Sequence, residues 1–164
     1  MKDRINYYIL LPVMFLVFFL ETTFLAQSSA ALLLPDLLLL LLLADVLLSA
    51  GADFLYLAFF FGALTDVFSG SNFGLHTLAF TLIALLAALM KAKFLREERF
   101  LRVALLAGAI YAAYDLLTLF LLTFVFNADS ALYADLIWRR LPLDGIFAAA
   151  LIYPIMHLIA KQRE

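Results

Sequence analysis

Long apolar stretches separated by short polar breaks set out the plan of the chain. Six such stretches occur, at about residues 5–26, 32–49, 54–68, 73–90, 103–126 and 143–160. Most approach the ~20 residues that a helix needs to cross the hydrocarbon of a bilayer. The breaks between them are turn formers or charges: Gln27-Ser28-Ser29, Gly51 to Asp53, Ser69-Gly70-Ser71-Asn72, Lys91 to Arg102, and Asn127 to Asp135 followed by Trp138-Arg139-Arg140. This pattern predicts an all-α integral membrane protein, a single domain over residues 1–164, folded as a bundle of six transmembrane helices. Pro35 and Asp36 suit the first turn of the second helix, where a missing N–H costs little and a carboxylate meets the positive end of the dipole. The Leu37–Leu43 run that follows fits a lipid-facing or packed helix surface. Residues 5–26 exceed the 7–15 apolar residues of a signal peptide core and carry Glu21, so they read as a retained first helix.

Composition supports this outline. Apolar residues make up 67% of the chain, against roughly 45–50% in soluble domains. A small soluble fold leaves too much surface exposed to hide that excess. Six spans leave little chain for a separate catalytic or nucleotide-binding domain. No cysteine is present, which excludes disulfides and thiolate chemistry. The net charge of −2 says little, but the placement of Lys and Arg says more. With six spans and an inner N-terminus, Lys2, Arg4, the five basic residues from Lys91 to Arg102, Lys161 and Arg163 lie inside, and only Arg139 and Arg140 lie outside. That asymmetry satisfies the positive-inside rule and predicts an inner-membrane, multi-pass protein with both termini cytoplasmic.

Ionisable groups at membrane depth cost ~2.5–3.5 kcal/mol each on insertion scales, so each needs a reason. Asp115 is the deepest, midway along the fifth span, and Tyr111 one turn earlier is placed to hydrogen-bond it. On the same helix Gly108 and Ala112, and Ala109 and Ala113, are small residues four apart that permit close helix contact. Asp115 reads either as a proton or ligand site or as a structural, hydrogen-bonded carboxyl. Glu21 and Asp45 lie nearer span ends and suit bonding to neighbouring helices. His76 and His157 stand far apart, which argues against a metal site. No P-loop, no Ser–His–Asp grouping and no nucleic-acid patch is present, so neither catalysis nor a cofactor is expected.

The segment from Gly62 to His76 carries the most specific pattern, with Gly62, Asp66, Gly70 and Gly74 at a strict spacing of four. Ala58, Gly62 and Asp66 share one helix face and open a groove for a neighbouring helix. Asp66 falls at a helix C-terminus, where the dipole disfavours a carboxylate, so a compensating partner is expected. The backbone N–H groups of Ser69 to Asn72, or Arg139 or Arg140, are the candidates. Gly70 and Gly74 then permit the reversal into the fourth span.

Here the chain resembles the MreD family of bacterial rod shape-determining membrane proteins. The resemblance rests on Pro35-Asp36-Leu37 before a Leu-rich span and on Gly62-x3-Asp66-x2-Ser69-Gly70-x3-Gly74-Leu75. It extends to the overall length, the span count and a last helix starting at Leu141-Pro142 and containing Tyr153-Pro154. His76, where the family often has Asn, and Asp45 depart from the pattern. The resemblance implies a non-enzymatic scaffold of the cell-elongation complex that binds MreC and, through it, MreB and the peptidoglycan glycosyltransferase and transpeptidase. It also implies a fold similar to the substrate-binding component of energy-coupling-factor vitamin transporters. That similarity supplies a rival function, vitamin capture, for which Glu21, Asp66, His76, Asp115 and Trp138 are the candidate pocket residues. A proton-linked carrier using Asp115 and Glu21 is the third reading. Under the scaffold reading Pro35, Asp36, Gly62, Asp66, Gly70 and Gly74 are helix-packing or partner-interface residues, and a homodimer is a further option.

Overall fold

Each apolar run bounded by Gly, Pro, Ser or Asp becomes a helix in the computed structural model, which describes residues 7–25, 36–49, 51–69, 73–94, 100–125 and 130–161. Six α-helices account for nearly all of them, with no strand among the described residues. α1 spans Tyr7–Leu20 and runs on as a π-helical turn, Glu21–Leu25. α2 spans Leu37–Leu48, α3 Asp53–Ser69 and α4 Leu75–Phe94. α5 spans Phe100–Phe120, extended by a second π-helical turn at Leu121–Val125, and α6 spans Ser130–Lys161.

α6 departs from the expected outline. It begins at Ser130, so the segment through Trp138-Arg139-Arg140 belongs to the helix and Leu141-Pro142 does not start it. Residues 130–141 contain neither glycine nor proline, so nothing in this stretch breaks a helix. Pro142 and Pro154 both lie inside the helix, and each removes one backbone hydrogen bond without ending it.

Among the described residues, two segments are long and apolar enough to cross a membrane, Leu101–Val125 and Leu141–Leu158. The apolar helices Tyr8–Thr23, Leu37–Leu48 and Leu75–Lys91 are shorter. α2 is the extreme case: 12 residues rise only about 18 Å, well short of the ~30 Å hydrocarbon core.

That short helix is the hub of the bundle. Every residue from Leu38 to Leu47 is buried, and α1, α3, α4 and α6 all pack on it. A helix apolar on all sides has no polar face to turn outward, so it is enclosed. The leucine run is therefore a packed surface. Around it lie Met14 and Phe18 of α1, Phe61 of α3, Phe80 of α4, Ile110 of α5 and Ile152 of α6, all fully buried.

The outer helices pair closely. α5 and α6 make the most extensive contact, followed by α3 and α4. At the α5–α6 crossing a methyl group on Gly108 would lie 3.2 Å from the Gly145 carbonyl oxygen, so the small residues of α5 bring it against α6 of the same chain. Outward-facing positions remain apolar, among them Tyr56, Phe59, Leu89, Leu101, Leu105, Ile146 and Leu158. Such a surface suits lipid or other apolar helices and not water.

Candidate functional site

Polar side chains from different parts of the chain meet at two helix starts, and each start takes acceptors from elsewhere in the chain. The first four N–H groups of any helix lack partners within it. In water, solvent serves them; inside an apolar bundle, side chains must.

At the start of α4, Gly74 occupies the cap position with φ of +96°, a left-handed conformation that glycine adopts without strain. A glycine has no side chain with which to cap. Asp66, near the end of α3, fills the role. Its Oδ2 accepts from Gly74 N at 2.9 Å, Thr77 N at 3.0 Å and the Thr77 hydroxyl at 2.6 Å. Its Oδ1 accepts from His76 N at 2.8 Å and lies 3.0 Å from His76 Nδ1. An ionised carboxylate only accepts, so Nδ1 carries the proton of this contact. The Asp66 side chain is fully enclosed. Its unfavourable place at the C-terminal end of α3 is offset by the positive end of α4 and by five donors. Of the partners expected, residues 70–72 and the side chains of Arg139 and Arg140 lie outside the described residues.

One turn earlier, Gly62 lets the two helices touch. A methyl group there would stand 2.7 Å from Thr77 Cα and 2.8 Å from the His76 carbonyl oxygen. Both are backbone atoms, so the side of α3 that carries Asp66 must be bare at Gly62 for the carboxylate to reach the first turn of α4. Behind this clasp, the His76 ring meets the edge of Phe80 at 6.2 Å between centroids, and Phe80 lies 5.9 Å from Tyr114 of α5. His76 is thus a positioning element of the α3–α4 hairpin.

α2 starts differently. Asp36 is its own cap, accepting from Leu39 N at 2.7 Å through Oδ1. Glu21, opening the π-helical turn after α1, accepts from Leu37 N. Tyr111 of α5, fully buried, donates its hydroxyl to the Asp36 carbonyl oxygen. The expected Tyr111–Asp115 bond is replaced by this one because the start of α2 reaches the level of mid-α5. Tyr111 is also within electrostatic range of Asp36, Glu21, Tyr114 and Asp144. Asp115 is buried one turn further along α5. Pro35 and Gly70 lie outside the described residues.

The far end of α2 is closed as well. Lys91 of α4 donates from Nζ to the carbonyl oxygens of Val46 at 3.1 Å and Ser49 at 2.6 Å. A cation at a helix C-terminus meets the negative end of the dipole. Within α2, buried Asp45 accepts from the Ser49 hydroxyl at 3.0 Å. Sequence reasoning read Lys91 only as a topology determinant, and it passed over Thr77 and the buried Asp144 of α6. Nothing in the spacing of Lys91 and Thr77 marks them, because their partners Val46 and Asp66 lie on other helices.

The two sites share one chemistry. Carboxylates, hydroxyls and an amine are turned onto backbone groups of the same chain, and no cluster of three or more His, Asp or Glu with metal-binding geometry occurs among the described residues. Asp66 and His76 are brought together; Glu21, Asp36 and Tyr111 form the second group; Trp138 is exposed on α6.

Comparison with curated proteins and with solved structures returns no match. A family model described as MreD, rod shape-determining protein MreD, matches residues 2–162. Covering nearly the whole chain, that match places the bundle, with both of its capped helix starts, in the MreD family of bacterial membrane proteins that determine rod shape.

Proposed function

We propose that this protein is a non-enzymatic scaffold of the cell-elongation complex in the bacterial inner membrane. It crosses the membrane six times, keeps both termini in the cytoplasm and binds MreC. Through MreC it helps to organise MreB and the synthases of lateral peptidoglycan. The observation that carries this reading is where five of its polar side chains go. Asp66, Glu21, Asp36, Tyr111 and Lys91 all bond helix ends of the chain itself. The interior is thereby fastened, and the apolar outside is left for lipid and partner helices.

Vitamin capture by a transporter component is the rival that the family resemblance raises. In membrane transporters a helix starting at mid-depth often offers its free N–H groups to an anionic substrate. In this chain Asp36 and Glu21 hold that position at α2, which favours the scaffold.

A mild-detergent pull-down from the native membrane, read by mass spectrometry, tests the function. Co-purification of a single-span coiled-coil protein with wall synthases supports it. Recovery of two ATPases with a membrane coupling subunit overturns it. Topology is tested separately, since a chain without cysteine allows single-site labelling. In intact cells Asp129→Cys is expected to react with an impermeant maleimide and Glu98→Cys to be protected. The reverse pattern would invert the topology.

A further inference from the structure

α3 and α5 present apolar flanks of unequal height. α3 spans Asp53–Ser69, 17 residues, which rise about 25 Å. Polar ends bound that length. Residues 51–53 before it are exposed, and so is Ser69 at its close, which leads into Gly70-Ser71-Asn72 in the sequence. The Asp53 carboxyl and the terminal amides and carbonyls of the helix call for water or headgroups. Between those ends the outer side is apolar, with Tyr56, Phe59, Phe60, Val67 and Phe68 all exposed.

α5 is the tall flank. Leu101–Val125 is an apolar segment of 25 residues, a rise of about 37 Å, and Leu101, Leu105, Leu116, Phe120 and Phe124 are exposed along it. Against hydrocarbon ~30 Å deep, α5 is too long and α3 falls about 5 Å short. A long span accommodates by tilting; a short one cannot, because tilt lowers its height further. Snorkelling is closed to α3, which has neither Lys nor Arg. Lys91 of neighbouring α4 turns its amine onto the carbonyls of α2. There remain a thinner bilayer or a second copy set against the flank. Helices associate closely in membranes through small residues. α3 commits its glycine to α4 and turns bulky rings outward, which favours lipid.

We propose that the α3 flank thins the bilayer around it and is lined by short-chain phospholipids, while α5 accepts longer ones. The proposal rests on the membrane-crossing reading above and deepens it by naming the class of lipid. Tyr56 lies one turn inside Asp53, the depth at which tyrosine anchors at a membrane interface. The bundle then gathers short acyl chains on one side only, and it sorts toward thin membrane.

The test uses the full-length chain, whose single tryptophan is removed by Trp138→Phe so that one reporter can be placed at a time. Phe59→Trp reports from α3 and Leu116→Trp from α5; both positions are exposed. Each variant is reconstituted in dioleoylphosphatidylcholine, and fluorescence quenching by brominated phosphatidylcholines is compared for short and for long acyl chains. At Phe59→Trp the short-chain lipid is expected to associate about threefold more strongly than the long-chain lipid. Leu116→Trp is expected to show no such preference. Equal association at Phe59→Trp, or the same preference at both reporters, overturns the proposal. Quenching of Leu116→Trp alone also overturns it, since a second copy or another protein then covers α3. Quenching at neither position would show that the helices do not face lipid, and would sink the membrane-crossing reading itself. If Phe59→Trp fails to elute as wild type does, Phe60→Trp decides by the same criteria.

Discussion

α4 and α2 both start inside protein, and they draw acceptors for their first amide groups from different distances along the chain. α4 relies on one carboxylate, Asp66, which is eight to eleven residues upstream of the groups it binds. α2 combines its own Asp36 with Glu21, sixteen residues before Leu37, and with Tyr111, seventy-five residues after Asp36. Its other end depends on Lys91, more than forty residues away. The first arrangement is a local clasp that a hairpin can close by itself. The second needs α1, α2, α4 and α5 in place together, so the hub helix is fastened only when the bundle has assembled. A load concentrated on one residue is fragile; a load shared by several is tolerant. The contrast predicts a graded series of variants.

Asp66→Ala is expected to be the most damaging, at roughly 3–5 kcal/mol, because three enclosed N–H groups lose their acceptor at once. Thermal melting and the yield of monodisperse protein in detergent would show it. Asp66→Asn keeps one carbonyl acceptor and should recover about half of the loss. A wild-type melting curve for Asp66→Ala would break the comparison, since the clasp would then not limit stability.

Gly62→Ala should follow, at about 2–3 kcal/mol, because the new methyl meets backbone and not a yielding side chain. The same assay applies. Disulfide trapping between cysteines placed at 63 and 78 would also report whether α3 and α4 have moved apart.

Lys91→Met should cost about 2 kcal/mol by removing two charge-assisted bonds to the end of α2. Hydrogen exchange is expected to accelerate at Leu47 and Leu48 before it does in α3. Simultaneous acceleration across α3 and α4 would mean that the two fastenings are not independent.

Tyr111→Phe should have the smallest effect, about 1 kcal/mol, as Asp36 and Glu21 still hold the start of α2. An effect as large as that of Asp66→Ala would show that α2 depends on one residue after all.

Legibility in the sequence followed the same division. The Gly62-x3-Asp66 spacing and the misplaced carboxylate at the end of α3 were visible, and they pointed to a close helix contact and a missing partner. The partner itself was not visible, because Gly74 holds the cap position and its backbone, with His76 and Thr77, carries no side-chain signature of accepting help. At α2, Pro35-Asp36 marked a helix start, but neither Glu21 nor Tyr111 advertised a bond to it. Asp115 drew attention through depth alone, and Tyr111 turned instead to Asp36. The charges around Trp138 suggested a break that α6 does not make, since residues 130–141 contain neither glycine nor proline.

By itself the sequence determined the solvent, the number of helices and the family. Each of these depends on properties summed over many residues or on motifs local in the chain: apolar length, turn formers, and glycines spaced by single turns. Tertiary structure alone decided which apolar helix is enclosed and which polar groups hold it. Leucine is equally at home against lipid and against protein, so the Leu37–Leu43 run could not announce that it is the hub. Its 12 residues are too few to bring both ends to water. Those ends therefore had to be satisfied from α1, α4 and α5, and only the folded arrangement brings these three to them.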